Sequence, residues 1–210
     1  MVEKQLQEKG ILAKLLEKGI EILLKKECKH ISKIKIDIAA SSIQIIKGTI
    51  QKIKVTAEKI NYKDFLFDEV ELEANKVKIY FKLNNKELKF KDDPKIRFKI
   101  SFSESSIKKI LLSNNWSWIG NAITKEILNL EHFKDIKIKN NLITIKASKD
   151  KKTINEEEEF EIKAANGKIY IGNRNYNKSI NIPIEDKVYI ENVSIQNNII
   201  IVLAISSLSF

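Results

Sequence analysis

A chain of 210 residues, 43% hydrophobic and 31% charged, has the composition of an ordinary folded protein and enough length to bury a sizeable core. The formal net charge of +10 suits anionic partners, nucleic acid or an anionic membrane surface among them, although the Ile, Lys and Asn bias of AT-rich coding accounts for part of the lysine excess. Only Arg97 and Arg174 carry the guanidinium groups on which base-reading proteins rely, and the lone Cys28 excludes an intrachain disulfide framework and a multi-cysteine metal site.

No apolar run reaches the length of a membrane-spanning helix, and Glu and Lys interrupt residues 1–11 where a secretory signal would need an apolar stretch. The expectation is a single domain over residues 1–210, soluble and non-exported, either cytoplasmic or peripheral to a membrane.

Residues 5–28 have helical period. Leu12, Leu15, Leu16, Ile20, Leu23 and Leu24 fall at steps of three and four, with Lys14, Glu17, Lys18, Glu21 and Lys25 opposite them. Such a helix either covers one side of a sheet or, with lysines beside its apolar stripe, lies as a lid or on a membrane surface.

Strands are predicted from residue 30 to 102. Ile34, Ile36 and Ile38, then Ile53, Val55 and Ala57, then Val70, Leu72 and Ala74 alternate with charged residues, giving each strand one dry and one wet face. The alternation slips: Phe65 and Phe67 share one parity, Val70 to Ala74 the other, and Val77, Ile79 and Phe81 return to the first. One-residue slips are the signature of β-bulges, so a strongly curved antiparallel sheet is expected. Ser41, Ser42 and Gly48 read as a short link, Asn84-Asn85 as a turn, and Asp92-Asp93-Pro94 as a break before the aromatic strand of Phe98 and Phe102.

Period changes again over 104–130, where Ile107, Ile110 and Leu111, then Ile119, Ile123, Ile127 and Leu130, are helix-spaced. Residues 133–206 return to hairpins turned at Asn140-Asn141, Asn166-Gly167 and Asn197-Asn198. Lys149 to Glu159, with its block of four glutamates, reads as an exposed loop. The order of helix, strands, helices and strands, with a highly curved antiparallel sheet, a long N-terminal helix and further helices in mid-chain, makes the expected fold class α+β.

Within this pattern Ile36 to Ala40, then Gly48 and Ile50, then Val55-Thr56-Ala57 to Tyr62, then Leu72-Glu73-Ala74 form a recognisable series. It resembles the core pattern of the DUF2993, or LmeA-type, phospholipid-binding family, particularly its cyanobacterial members. Ser103, Glu104 and Ile107 at the start of the middle helix and Ile182-Pro183-Ile184 near the close also fit. The second half matches more loosely, and Glu156 to Glu159 stand outside the pattern.

The resemblance implies a tubular lipid-binding (TULIP-like) architecture, the highly curved antiparallel sheet wrapped around the long N-terminal helix with a groove between them, and non-enzymatic binding or transfer of phospholipid or another acyl lipid. The inward residues expected to meet lipid are Leu16, Ile20, Leu23, Ile53, Val55, Phe65, Phe67, Phe98 and Phe102. Plain core packing is the competing reading of each. Trp116 and Trp118 are expected to touch a membrane interface, where an indole ring and its N–H both find partners; a half-buried core position is the alternative.

Cys28-x-His30 is too sparse for a catalytic or zinc site, and His132 is distant in sequence. No phosphate-binding loop, nucleotide-binding glycine fingerprint or nucleophile elbow occurs, so neither catalysis, cofactor nor metal is expected. The other class of function is a basic, β-rich nucleic-acid binder. Scarce arginine and dry-side aromatics count against it, and no nucleic-acid partner is expected.

Overall fold

The computed structural model describes residues 10–82, 87–150, 156–174 and 177–207. Residues 5–9 of the expected N-terminal helix and the Asn84-Asn85 turn lie outside these. The apolar stripe of the N-terminal segment winds helix α1 (Ile11–Glu27), which packs against strand β1 (Lys33–Ala39) and the short helix α2 (Ser42–Ile46). α2 replaces the link expected there. Its signal was a capping box: Ser41 Oγ accepts from Gln44 N–H at 3.2 Å, and Gln44 Oε1 accepts from Ser41 N–H at 2.8 Å. Gly48 follows at φ 80°, where a Cβ would collide with the carbonyl oxygen of Ile79, so no other residue fits this entry into the sheet.

Strands β2 (Thr49–Tyr62) and β3 (Phe65–Lys82) form a long hairpin turned at Lys63-Asp64, with φ of 50° and 68°. Their pairing corrects the expectation of bulges. Register stays constant from Thr49↔Lys78 through Ala57↔Val70 to Tyr62↔Phe65, so no residue is inserted in one strand alone. Instead both strands change parity together, at Lys59 opposite Asp68 and at Gln51 opposite Lys76. Lys59 and Lys76 take the left-handed conformation, at φ 51° and 52°. A left-handed residue inverts the pleat locally, which carries Ile60 and Phe67 back to the dry face. True register shifts occur elsewhere, between Phe133 and Asp135 and between Ile190 and Asn192.

β4 (Glu87–Phe90) pairs with the far end of β3, and β5 (Lys95–Ser103) with its near half. The chain then turns into helices α3 (Glu104–Leu112) and α4 (Ser117–Leu128). β6 (His132–Lys139) and β7 (Leu142–Ser148), β8 (Glu156–Ala165) and β9 (Lys168–Gly172), and, after the short β10 (Ser179–Asn181), β11 (Val188–Gln196) and β12 (Ile199–Ser207) complete the chain. The three Asn-Asn or Asn-Gly turns all sit at φ between 50° and 75°, as a type I′ hairpin requires. Glu156 to Glu159 are strand rather than loop. They pair with Ala147 to Thr144 of β7 while their side chains stay exposed, so the charge block marks a wet strand end.

The fold is α+β and mostly antiparallel, with two sheets. One runs β1-β2-β3-β5-β12-β11, with β4 added to β3; the other runs β10-β9-β8-β7-β6. Cross-strand register explains the first sheet's two faces. Ile36, Val55, Leu72, Phe98, Ala204 and Ile190 lie side by side across six strands, making one continuous apolar row. On the opposite face Lys33–Glu58 at 2.9 Å, Lys52–Glu73 at 2.7 Å, Lys54–Glu71 and Lys99–Glu71 at 3.2 Å form a mixed-charge ladder. Lys54, then Lys99, hold the Glu71 carboxyl below its usual pKa. Exposed pairs of this kind contribute at most about 1 kcal/mol each, so burial on the other face holds the sheet.

That apolar face is shared between two clusters. Ala13 of α1 and Ile45 of α2 close over Ile38, Ile50, Ala74, Val77 and Ile79. The second sheet, α3 and α4 cover β5, β11 and β12 and build the larger cluster, in which Phe160 is 1% exposed.

Candidate functional site: an apolar cavity between the sheets

The larger cluster is not solid. A cavity of about 400 Å³ lies between the sheets, within the range of roughly 300–1,000 Å³ typical of small-molecule sites. One wall is the first sheet, with Phe65 and Phe67 on β3, Phe98, Ile100 and Phe102 on β5, and Ile200, Val202 and Ala204 on β12. Facing it are Ile136, Ile143, Ile145 and Ile171 of the second sheet. Ile107 and Leu111 of α3 and Ile119 and Ile123 of α4 form the roof, and Ile182-Pro183-Ile184 flank another side.

Every lining residue is apolar or an indole. The sequence places them there through ordinary alternation and helical spacing, the periods that also build solid cores. A void arises because two helices and two sheets meet where β-branched side chains do not reach across.

One end of the cavity is aromatic. The Phe65 ring lies 5.0 Å from Trp116 and 6.0 Å from Phe102, both edge-on, and Phe67 tilts against Phe65 and Phe102 at 5.1 and 5.6 Å. Trp116 donates from Nε1 to the Lys63 carbonyl at 2.9 Å, which satisfies its only polar atom. Trp118, also in the lining, is 50% exposed, so this end reaches the surface.

Polar contacts fix the surrounding elements. Asn115 Nδ2 donates to Asp64 Oδ2 at 2.8 Å, and Lys29 pairs with Asp64 Oδ1 at 2.6 Å, joining the β2–β3 turn to the α3–α4 loop and to the end of α1. Glu104 of α3 accepts from Ile138 N–H at 2.8 Å, and Lys108 pairs with Asp135 at 2.7 Å, so the roof is tied to β6.

Asp68, next to Phe67, secures the corner where β5 becomes α3. Its Oδ2 accepts from Ser103 N–H at 2.6 Å and its Oδ1 from Lys59 at 2.7 Å. Burial pushes its pKa up, but the hydrogen bonds from Lys59, Ser103 and Ser106 outweigh burial and hold it at about 2, from an ordinary value of 3.8. A depressed carboxylate contributes stability that is present above its unfolded pKa and is lost as pH falls through its folded one. The Asp68 contribution, on the order of 2 kcal/mol, should therefore fade between about pH 4 and pH 2. Asp68→Asn should lower the melting temperature at neutral pH and flatten its fall across that window, measured by thermal melts at stepped pH.

Of the residues expected to meet lipid, Phe65, Phe67, Phe98 and Phe102 come together in this cavity. Leu16, Ile20 and Ile53 pack instead into the cluster closed by α1. Val55 is buried in β2, and Leu23, near the C-terminal end of α1, is 63% exposed. Between α1 and the sheet, Ala13 is fully buried and Leu12, Leu16 and Ile20 pack beside it. Both tryptophans expected at a membrane line the cavity.

Burial, then Glu27, raises the Cys28 pKa, which makes its thiol a poorer nucleophile, and His30 Nε2 lies 3.0 Å from Ser32 Oγ. Among the described residues no three His, Cys, Asp or Glu side chains gather as a metal site, and no helix is long and apolar enough to cross a membrane. No family model, curated protein or solved structure matches the chain.

Proposed function

We propose that the protein binds the acyl chain of a phospholipid or other lipid in the inter-sheet cavity, without catalysing a reaction. The observation that carries this reading is the lining: about 400 Å³ of space bounded entirely by apolar side chains and two indoles. Each methylene buried there gains roughly 0.8 kcal/mol, so a chain of modest length gains enough to bind, whereas a polar ligand would find no partner inside. With no titratable side chain in the lining, a bound chain meets neither general acid nor base.

The headgroup would remain at the aromatic end, where half-exposed Trp118 and the lysines Lys29 and Lys63 meet water. The resemblance of residues 36–74 to the LmeA-type pattern points to the same ligand class. The tubular, helix-wrapping architecture it implies would locate the groove under α1, and the reading rests on the inter-sheet cavity instead. On the outer face of the first sheet, Lys33, Lys52, Lys54, Lys59 and Lys99 are each ion-paired, which disfavours that face as a nucleic-acid platform.

Native mass spectrometry of gently purified protein, followed by organic extraction, tests the proposal. A co-purifying or readily loaded lipid adduct is expected. A chain that stays bare after incubation with phospholipid and free fatty acid would contradict it.

A further inference from the structure

Away from the cavity, exposed apolar side chains concentrate on α1 and α2. Ile11, Leu15, Ile22, Leu23, Ile43 and Ile46 are all between 58% and 76% exposed, and they account for half of the twelve large exposed apolar side chains described. Scattered exposed leucines are ordinary, but six on two contacting helices of 17 and 5 residues are not. Helical spacing sets Ile11, Leu15 and Ile22 in line on the side of α1 away from its packed Ala13, Leu16 and Ile20, while Leu23 is exposed near the C-terminal end of the helix.

The charges around this ridge are cationic. Residues 10–29 and 41–48 carry six lysines against three carboxylates. Of these carboxylates, Glu17 accepts from Ile38 N–H at 2.7 Å, and Glu21 is neutralised by Lys18 and Lys25 at 3.0 and 2.7 Å. Lys14, Lys26 and Lys47 make no ion pair with any described residue, and Lys26 continues the line of Leu15 and Ile22. An apolar ridge edged by unpaired lysines matches the boundary between anionic headgroups and acyl chains. A second copy fits it poorly, since two such faces would bring lysine against lysine.

We propose that α1 and α2 form a docking surface for an anionic phospholipid bilayer. The surface adjoins the cavity's aromatic end, because Lys29, just beyond α1, shares Asp64 with Asn115 of the α3–α4 loop. Docking through α1 and α2 therefore brings the Trp118 end close to the bilayer from which a lipid would come. The ridge is a distinct site, and its existence does not depend on what the cavity holds.

Co-sedimentation with vesicles of phosphatidylcholine, with and without phosphatidylglycerol, tests this on the full chain. Binding should require phosphatidylglycerol and weaken with salt. The pair Leu15→Glu and Ile22→Glu, at exposed positions, should reduce binding about tenfold or more with unchanged circular dichroism. Lys14→Glu with Lys26→Glu should produce a smaller loss. Ala204→Phe, in the cavity wall, should leave vesicle binding intact, so the two readings fail separately. Equal binding by Leu15→Glu/Ile22→Glu would overturn the proposal. So would a wild type that ignores phosphatidylglycerol vesicles and sediments as a dimer that the same pair dissociates, which would assign the ridge to a second copy.

Discussion

Ala204→Phe should strongly weaken binding of an acyl-chain probe while leaving the chain folded. Ala204 is 3% exposed in the middle of β12, paired across the sheet with Phe98 on one side and Ile190 on the other. Its methyl group faces the cavity, so a larger side chain extends into open space instead of into packed neighbours. Overpacking a solid core costs about 1–3 kcal/mol. Filling a cavity with an apolar ring avoids most of that cost and adds contacts, so the melting temperature should hold or rise. The ring occupies the volume between Phe98 and the roof that a hydrocarbon chain needs. Affinity for a fluorescent fatty-acid analogue should fall about tenfold or more, equivalent to about 1.4 kcal/mol. Unchanged affinity in a folded variant would mean that the probe binds elsewhere.

The largest loss of stability is expected from Phe160→Ala. Phe160 is 1% exposed, the largest of the fully buried side chains, and pairs across the second sheet with Ile143, also 1% exposed. Truncation removes its transfer free energy and leaves a hole that two hydrogen-bonded strands cannot collapse, a combination that costs about 3–5 kcal/mol. For a domain of ordinary stability, about 5–15 kcal/mol, this is a large fraction of the whole. Urea unfolding should show the midpoint shifted down with the slope conserved. A change below about 1 kcal/mol would mean that β8 is not packed against β7 as described.

Much of the fold was legible because local rules and tertiary packing agree. Lys and Glu alternating with Ile and Val around Ile36, Val55 and Leu72 could form only a sheet with one dry face, and the register bears that out. Asn140-Asn141 and Asn197-Asn198 turn their hairpins because asparagine tolerates the positive φ that a type I′ turn imposes. Three features escaped. Parity slips look like bulges in one strand's pattern, which cannot show that the partner slips at the same rung. Lys59 and Lys76, both left-handed, carry no sequence mark of it. α2 is too short to show helical period, and its one mark is the capping box of Ser41 and Gln44. Glu156 to Glu159 looked like loop because strand pairing depends on backbone hydrogen bonds, to which four exposed glutamates are no obstacle.

The candidate site was legible in its aromatic half alone. Phe65, Phe67, Phe98 and Phe102 stand out as aromatics on a dry face, and Trp116 and Trp118 as a pair in a loop. Ile107, Ile119, Ile143 and Ile171 carry the same alternation or helical spacing as any core residue, and a void is a property of how layers meet, which no single segment encodes. The resemblance implies a groove beside α1, whereas the described cavity lies between the sheets and Ala13, Leu16 and Ile20 of α1 belong to a separate packed cluster.

The chain's two tryptophans both line the cavity, which gives the central claim a direct optical test. A fatty acid brominated along its chain quenches indole fluorescence on contact, whereas the unbrominated acid does not. Titrating wild-type protein with the brominated acid should quench Trp116 and Trp118 strongly and saturably, with an excess of the unbrominated acid restoring the signal. Saturable binding without quenching would place the chain outside the cavity and contradict the account.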